Sequence, residues 1–289
     1  MNRSLGMILL LTAATSGMLF LQLGARPSLP WSRHYEAALG RAAESQQPLL
    51  VYLYTDWCGY CAQMERDTFS NPAMIDEMGP RFQWVKLNAE QDPAGIRLRE
   101  EHRIANYPAI FILSPDAREI DRLTGFMGPA KFQEQVEAYV HGPDSLIALQ
   151  QRVKEYPKAV EAHYSLGQKF LTRGDFSSAA RHFSIVVEQD PENRHQSSDS
   201  ALYYWALARA SAKDESGALE LTKQLEEWFP ASGFLPDGAI LVGRIHYYGG
   251  EKKKASEVFN HYLKRFPDHH SYTWVSRLVS EINSEITQK

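Results

Sequence analysis

The chain has 289 residues, 44% of them hydrophobic and 23% charged, which is room for two ordinary domains and excludes disorder over most of its length. A formal net charge of -4, with no basic block beyond Lys252, Lys253 and Lys254, excludes a nucleic-acid-binding footprint. Only two cysteines occur, Cys58 and Cys61, so a disulfide-stapled scaffold is excluded and cysteine chemistry is confined to one place.

The amino end is an export segment. No charge occurs between Arg3 and Arg26, and apolar runs fill 7–11 and 18–23. Residues 1–25 read as a signal peptide or a membrane anchor, since a signal core runs about 7–15 residues and a span about 20. Leu23-Gly24-Ala25 is a weak cleavage site, because a large residue stands first. Either reading places the remainder in the periplasm or another extracytoplasmic space; an uncleaved 5–25 would hold it to the inner membrane.

Residues 26–30 contain two prolines and read as a linker. A first domain is expected over 31–141. Helical spacing of Tyr35, Ala38, Leu39, Ala42 and Ala43 predicts a helix over 34–45, and the apolar run Leu49–Tyr54 predicts a buried central strand. Helical stretches to about residue 78, strands at 82–87, 109–113 and 119–124, and helices at 94–102 and 131–140 complete an α/β pattern. His141-Gly142-Pro143 stops the last helix.

Trp57-Cys58-Gly59-Tyr60-Cys61 follows the central strand and opens a helix. Unpaired N–H groups and the positive dipole end at a helix start stabilise a thiolate, so Cys58 is the expected nucleophile. Cys61, one turn on and more buried, is placed to resolve a mixed disulfide. Half of a zinc site and a purely structural disulfide remain alternatives at this point, although no second cysteine pair exists to complete the former.

Asp56-Trp57-Cys58-Gly59-Tyr60-Cys61, Asp67-Thr68-Phe69-Ser70-Asn71-Pro72, Tyr107-Pro108 and Gly125-Phe126-Met127 resemble the thioredoxin superfamily. Within it, they resemble the branch that holds the C-terminal domain of the thiol:disulfide interchange protein DsbD and related exported thioredoxin-like proteins. The resemblance covers 31–141 and implies a thioredoxin fold and thiol-disulfide oxidoreductase activity. It implies no cofactor besides the redox-active Cys58-Cys61 disulfide. It also implies that Pro108 is a cis-proline facing the cysteines, with Trp57 beside them and Gly59, Tyr60, Tyr107 and Gly125 on the substrate surface. Thioredoxins commonly place a buried aspartate six residues before the first cysteine; here Tyr52 stands there. A tyrosine, with an ordinary pKa of about 10, is no base near neutrality. Glu65, one turn after Cys61, matches an acid of the DsbD-like branch and is the substitute candidate, with an ordinary solvated carboxylate as the alternative. Asp56 is expected to cap the helix rather than catalyse.

From residue 145 the pattern is helical and repeats. His163, Leu166, Gly167, Phe170, Ala179, Phe183 and Pro191 fall at the tetratricopeptide offsets. Ala206, Ala218 and Pro230 form a second, weaker copy, and Gly243, Ala255, Phe259 and Pro267 a third. All-α repeats are therefore expected over 145–289, at about 160–191, 199–230 and 236–267, with a half-repeat before them and a capping helix at 271–287. In that register Tyr164, Gln168, Tyr203, Leu207, Arg244, Tyr247 and Tyr248 would line a partner-binding groove, or pack between helices.

Two functions remain in view. One is an exported reductase acting on client proteins, recharged by a redox partner protein, with repeats that hold the client. The other is a non-catalytic scaffold whose two domains are binding modules. The absence of His beside Cys61 tilts the first reading towards reduction.

Overall fold

A computed structural model describes residues 28–287. The expected signal or anchor at 1–25 lies outside them. Among the described residues no helix is long and apolar enough to cross a membrane.

The first part of the chain is built on one five-stranded sheet. Strands β1 (Trp31–Ser32), β2 (Leu49–Tyr54), β3 (Gln83–Asn88), β4 (Ala109–Leu113) and β5 (Glu119–Thr124) lie in the order β1-β3-β2-β4-β5. β1 and β2 run parallel to β3, whereas β4 runs antiparallel to both β2 and β5. Alternation along β2 sends Leu50 and Tyr52 to one core, with Trp84 and Phe132, and Leu49, Val51 and Leu53 to the other, with Phe111. Both faces are covered, which is why β2 reads as a continuous apolar run. Each large side chain buried there contributes about 1.5–3 kcal/mol.

Helices α1 (Tyr35–Ser45), α2 (Gly59–Asp67), α3 (Pro72–Met78), α4 (Pro93–Glu101) and α5 (Pro129–His141) complete this part. Three of them carry Pro in the first turn, where the missing N–H has no intrahelical partner to lose. The expected strand at 82–87 begins one residue later, because Phe82 ends the short 3-10 turn Gly79–Arg81 and inserts into the core. β1 has no counterpart in the sequence reading; two residues carry no periodicity.

The remaining helices are α6 (Leu146–Glu155), α7 (Val160–Thr172), α8 (Phe176–Gln189), α9 (Ser198–Ser211), α10 (Glu215–Trp228), α11 (Leu235–Tyr248), α12 (Lys252–Arg265) and α13 (Tyr272–Thr287). Consecutive helices pack on one another along the row. Gly167 lies under Phe183, and a Cβ there would stand 2.6 Å from the ring. Gly243 lies in the same way under Phe259, at 2.4 Å. The middle pair carries Ala206 and Thr222 at the same spacing, both buried. Asp175 and Asp214 cap α8 and α10 by accepting from the backbone N–H of Ser178 and Gly217. Val275, Val279 and Ile282 of α13 join the core formed by Phe259 and Tyr262 and close the row.

The two parts meet at the sheet edge. Asp121 of β5 is fully buried and accepts from the Leu146 backbone N–H at 3.0 Å, from Lys169 Nζ at 2.6 Å and from Arg173 Nη2. Arg173 also lies 3.5 Å from Glu119, which pairs with Arg122 at 2.7 Å. The helices thus pack against the edge strand and satisfy its fully buried carboxylate.

Candidate functional site

β2 ends at Tyr54, and the chain turns through Thr55, Asp56 and Trp57 into α2, whose first helical residue is Gly59. Cys58 is the N-cap, and its Sγ accepts from the Cys61 backbone N–H at 3.0 Å. The helix is therefore capped by the cysteine itself. Asp56 does not cap it, contrary to expectation. Its carboxylate accepts instead from Asn88 Nδ2 at 3.0 Å and from Gln91 Nε2 at 2.5 Å, which pin the end of β2 to the loop after β3.

Cys58 and Cys61 are joined in a disulfide with Cα atoms 5.2 Å apart. Both are buried, Cys58 at 6% exposure and Cys61 at 2%, so Cys58 is the more exposed residue of the two. The aromatic side chains beside them are not buried: Trp57 is 69% and Tyr60 65% exposed. Trp57 is held by an indole N–H donated to Glu90, 3.1 Å from Oε1, and stands edge-on to Tyr107 with centroids 6.0 Å apart. Glu90 has no counterpart among the expected site residues. It sits in the loop after β3, and only the folded chain brings it to Trp57.

The Tyr107-Pro108 peptide bond is cis, and Pro108 is buried. The Pro108 carbonyl accepts from the Gly125 N–H at 2.8 Å. Gly125 has φ +82°, a backbone conformation that side chains with a Cβ rarely adopt, so glycine suits this turn. Thr68, at the end of α2, donates to the Met127 carbonyl and ties the same loop to that helix. Tyr107, Phe126 and Met127 pack against the core that contains both cysteines.

Beneath Cys61 lies a polar group of three residues. The Tyr52 hydroxyl stands 3.3 Å from the Cys61 carbonyl and 3.3 Å from Glu65 Oε1, and Lys86 Nζ pairs with Glu65 Oε2 at 2.5 Å. Burial and the neighbouring Glu65 charge push the Tyr52 phenol far above its ordinary ionisation range. It acts as a hydroxyl and nothing else. Glu65 and the Cys61 carbonyl are alternative acceptors of its one proton.

The residues expected in the groove divide. Tyr164 accepts from Ser200 Oγ at 3.0 Å and stands edge-on to Phe183, so it packs between helices. Tyr203 stacks on Phe234 at 5.6 Å, and burial, then Asp237, push its phenol up to about 12. Leu207 is likewise half-buried in the helical core, and Tyr247 packs against the last helices. Tyr248 is 73% exposed with the Arg244 guanidinium 5.9 Å from its ring centroid. Gln168 lies beside Tyr139 and Asp144, at the junction with the sheet.

A disulfide-bonded cysteine pair at a helix start, a cis-proline loop beside it and this sheet order define a thioredoxin-like fold. Residues 35–139 match the family described as thioredoxin-like domain. The thiol:disulfide interchange protein DsbD of Pectobacterium atrosepticum is 31% identical over 102 residues, which cover 34% of this chain and 17% of that protein. The thioredoxin-related protein DsbJ of Chlamydia pneumoniae is 27% identical over 110 residues, 34% of this chain and 31% of that one. The solved DsbD C-terminal domain of Neisseria meningitidis, in its reduced form, is 27% identical with a TM-score of 0.31, covering 36% of this chain and 93% of that one. The chain thus spans less than a third of the curated relatives' length.

Proposed function

We propose that this protein is an extracytoplasmic thiol-disulfide oxidoreductase of the reducing type, acting on exported proteins. The observation that carries the reading is the bonded pair Cys58 and Cys61, with Cys58 at the N-cap of α2 and flanked by exposed aromatic side chains. In the reduced protein the Cys58 thiolate, stabilised by the helix start, attacks one sulfur of a client disulfide. A Cys58-client disulfide forms and the first client thiolate leaves. The Cys61 thiolate then attacks Cys58 Sγ, closing the internal disulfide and releasing the second client thiolate. Two electrons pass to the client, and a dithiol of a redox partner protein returns them. No cofactor beyond the disulfide takes part. The helical row acts as tetratricopeptide repeats that hold a protein, with Arg244 and Tyr248 as its exposed contact.

Insulin reduction by dithiothreitol tests the reading. The protein should accelerate it, and Cys58→Ser should abolish the acceleration. A rate equal to that of dithiothreitol alone would favour a non-catalytic scaffold.

A further inference from the structure

Between β5, α5 and the α7–α8 turn lies a cavity of about 470 Å³. Its walls adjoin the redox surface. Ala105 and Asn106, which line it, directly precede Tyr107 and Pro108; Thr124 and Met127, which also line it, flank Gly125 and Phe126. The cavity thus borders the cis-proline loop, whose Tyr107 ring centroid lies 6.0 Å from that of Trp57 beside Cys58.

The lining is cationic. Arg103, Arg122, Lys169 and Arg173 contribute four positive charges, and the carboxylates that pair with them are Glu119 and Asp121. Arg103 makes no ion pair among the described residues, which leaves two cations in excess of the anions. Arg173 is more than nine-tenths buried, at 9% side-chain exposure, and its Nε has no hydrogen-bond partner. A buried guanidinium N–H needs an acceptor. The remaining donors of Arg173 are taken by the Lys169 carbonyl, Asp121 and Glu119, so a carboxylate entering the cavity offsets the surplus charge and accepts from Arg103, which is exposed on the lining and pairs with no carboxylate among the described residues.

We propose that this cavity is a carboxylate-binding subsite for an acidic side chain of the client polypeptide, next to the disulfide that reacts at Cys58. This rests on the oxidoreductase reading and adds the client's chemistry to it. The two cations that belong to α7 and its end, Lys169 and Arg173, make the subsite a joint product of the two parts of the chain. Client selection would therefore depend on the helical row through this wall as well as through its far face.

Two peptides test it, each with one intramolecular disulfide, flanked on one side by three Asp or by three Asn. Fluorescence anisotropy with the oxidised full chain at low ionic strength reads the subsite; turnover by the reduced chain reads the redox function. The acidic peptide should bind about tenfold more tightly, the worth of one charge-assisted hydrogen-bonded contact. Arg103→Gln and Thr172→Glu, which alter an unpaired cation and an exposed lining residue, should each cut that preference at least threefold. Equal binding of both peptides, or a preference untouched by both variants, would overturn the subsite. So would displacement of the acidic peptide by an equal concentration of inorganic phosphate, the mark of a small-anion site. Tight acidic binding without turnover of either peptide would sink the oxidoreductase reading and leave the carboxylate subsite standing.

Discussion

The hydroxyl of Tyr52 lies 3.3 Å from Glu65 Oε1 and 3.3 Å from the Cys61 backbone carbonyl, and its one proton is donated to either oxygen. Tyr52 stands where thioredoxins commonly carry an acid, and its depth in the core keeps the phenol protonated. The acid here stands on α2 rather than β2, one turn after Cys61, with the tyrosine hydroxyl between it and the Cys61 carbonyl. Glu65→Gln should slow release of the mixed disulfide by about tenfold, below the 10² that a directly acting base commonly contributes. Tyr52→Phe should give a smaller loss in the same step. Stopped-flow resolution of a Cys58 adduct across pH measures both; an unchanged pH profile in Glu65→Gln would reduce the acid to a partner of Lys86.

The two sulfurs should differ sharply in reactivity. Cys58 is the more exposed and occupies the N-cap, whereas Cys61 lies inside the first turn. In the reduced protein, iodoacetamide at about pH 7 should label Cys58 first, because the thiolate is the reacting form. Cys61→Ser should accumulate adducts on Cys58, since the chain has no other thiol to resolve them. Mass spectrometry of the trapped adducts checks this; equal labelling of both cysteines would reverse the assignment.

Much of the redox domain was legible because its signals are local. The continuous apolar run of β2, the helix-opening cysteines and the proline before β4 each sit within a few residues. Asp56 was misread because a carboxylate two residues before a helix-opening cysteine looks like a cap, and only tertiary structure brings Asn88 and Gln91 to it. Glu90 was missed for the same reason. The groove residues were placed by repeat register alone, which cannot separate an exposed Tyr248 from a stacked Tyr203. Asp121 gave no sequence signal, for it reads as the polar position of a half-exposed edge strand and becomes buried only when α6 and α7 cover it.

Asp121 should be the costliest single charge to remove. It is buried and satisfies a backbone N–H, a lysine and an arginine from the helical row. Breaking a buried pair from one side typically costs about 3–5 kcal/mol, against about 0–1 for an exposed pair such as Arg194 with Glu192. Asp121→Ala should therefore lower urea stability by several kcal/mol while Glu192→Gln leaves it within error. A chain cut after His141 exposes Asp121 and loses Ile147 from the sheet core, so it should fold with a lower midpoint than the whole protein.

Gly167 and Gly243 should resist enlargement. A Cβ at either would enter the ring of Phe183 or Phe259, and overpacking of this kind costs about 1–3 kcal/mol. Gly243→Ala should lower the thermal midpoint, and Gly243→Ala with Phe259→Thr should recover part of the loss to the clash by copying the middle pair's Ala206 and Thr222. The comparison is with Phe259→Thr alone: without a clash, alanine would destabilise neither background.

The acid sensitivity of the helical row should centre on two histidines. His163 and His182 face each other with Nδ1 atoms 2.8 Å apart, and His163 Nε2 lies 3.1 Å from the Pro157 carbonyl oxygen. That oxygen only accepts, so His163 carries its proton on Nε2 and His182 donates from Nδ1. Burial, then the neighbouring His163, hold His182 down to about 4; burial also lowers His163 against the pull of the Pro157 carbonyl. In the unfolded chain both return to about 6.5, so below that pH the unfolded state binds more protons than the folded one. The stabilisation is complete above about pH 7, declines as pH falls through 6.5 towards 4, and declines no further from His182 below that. Thermal melts of the full chain between about pH 7.5 and 4 should follow this slope. His182→Gln retains a donor for His163 without titrating, and should flatten the slope even if its midpoint at neutral pH is lower; an equally steep decline in that variant would assign the acid sensitivity elsewhere.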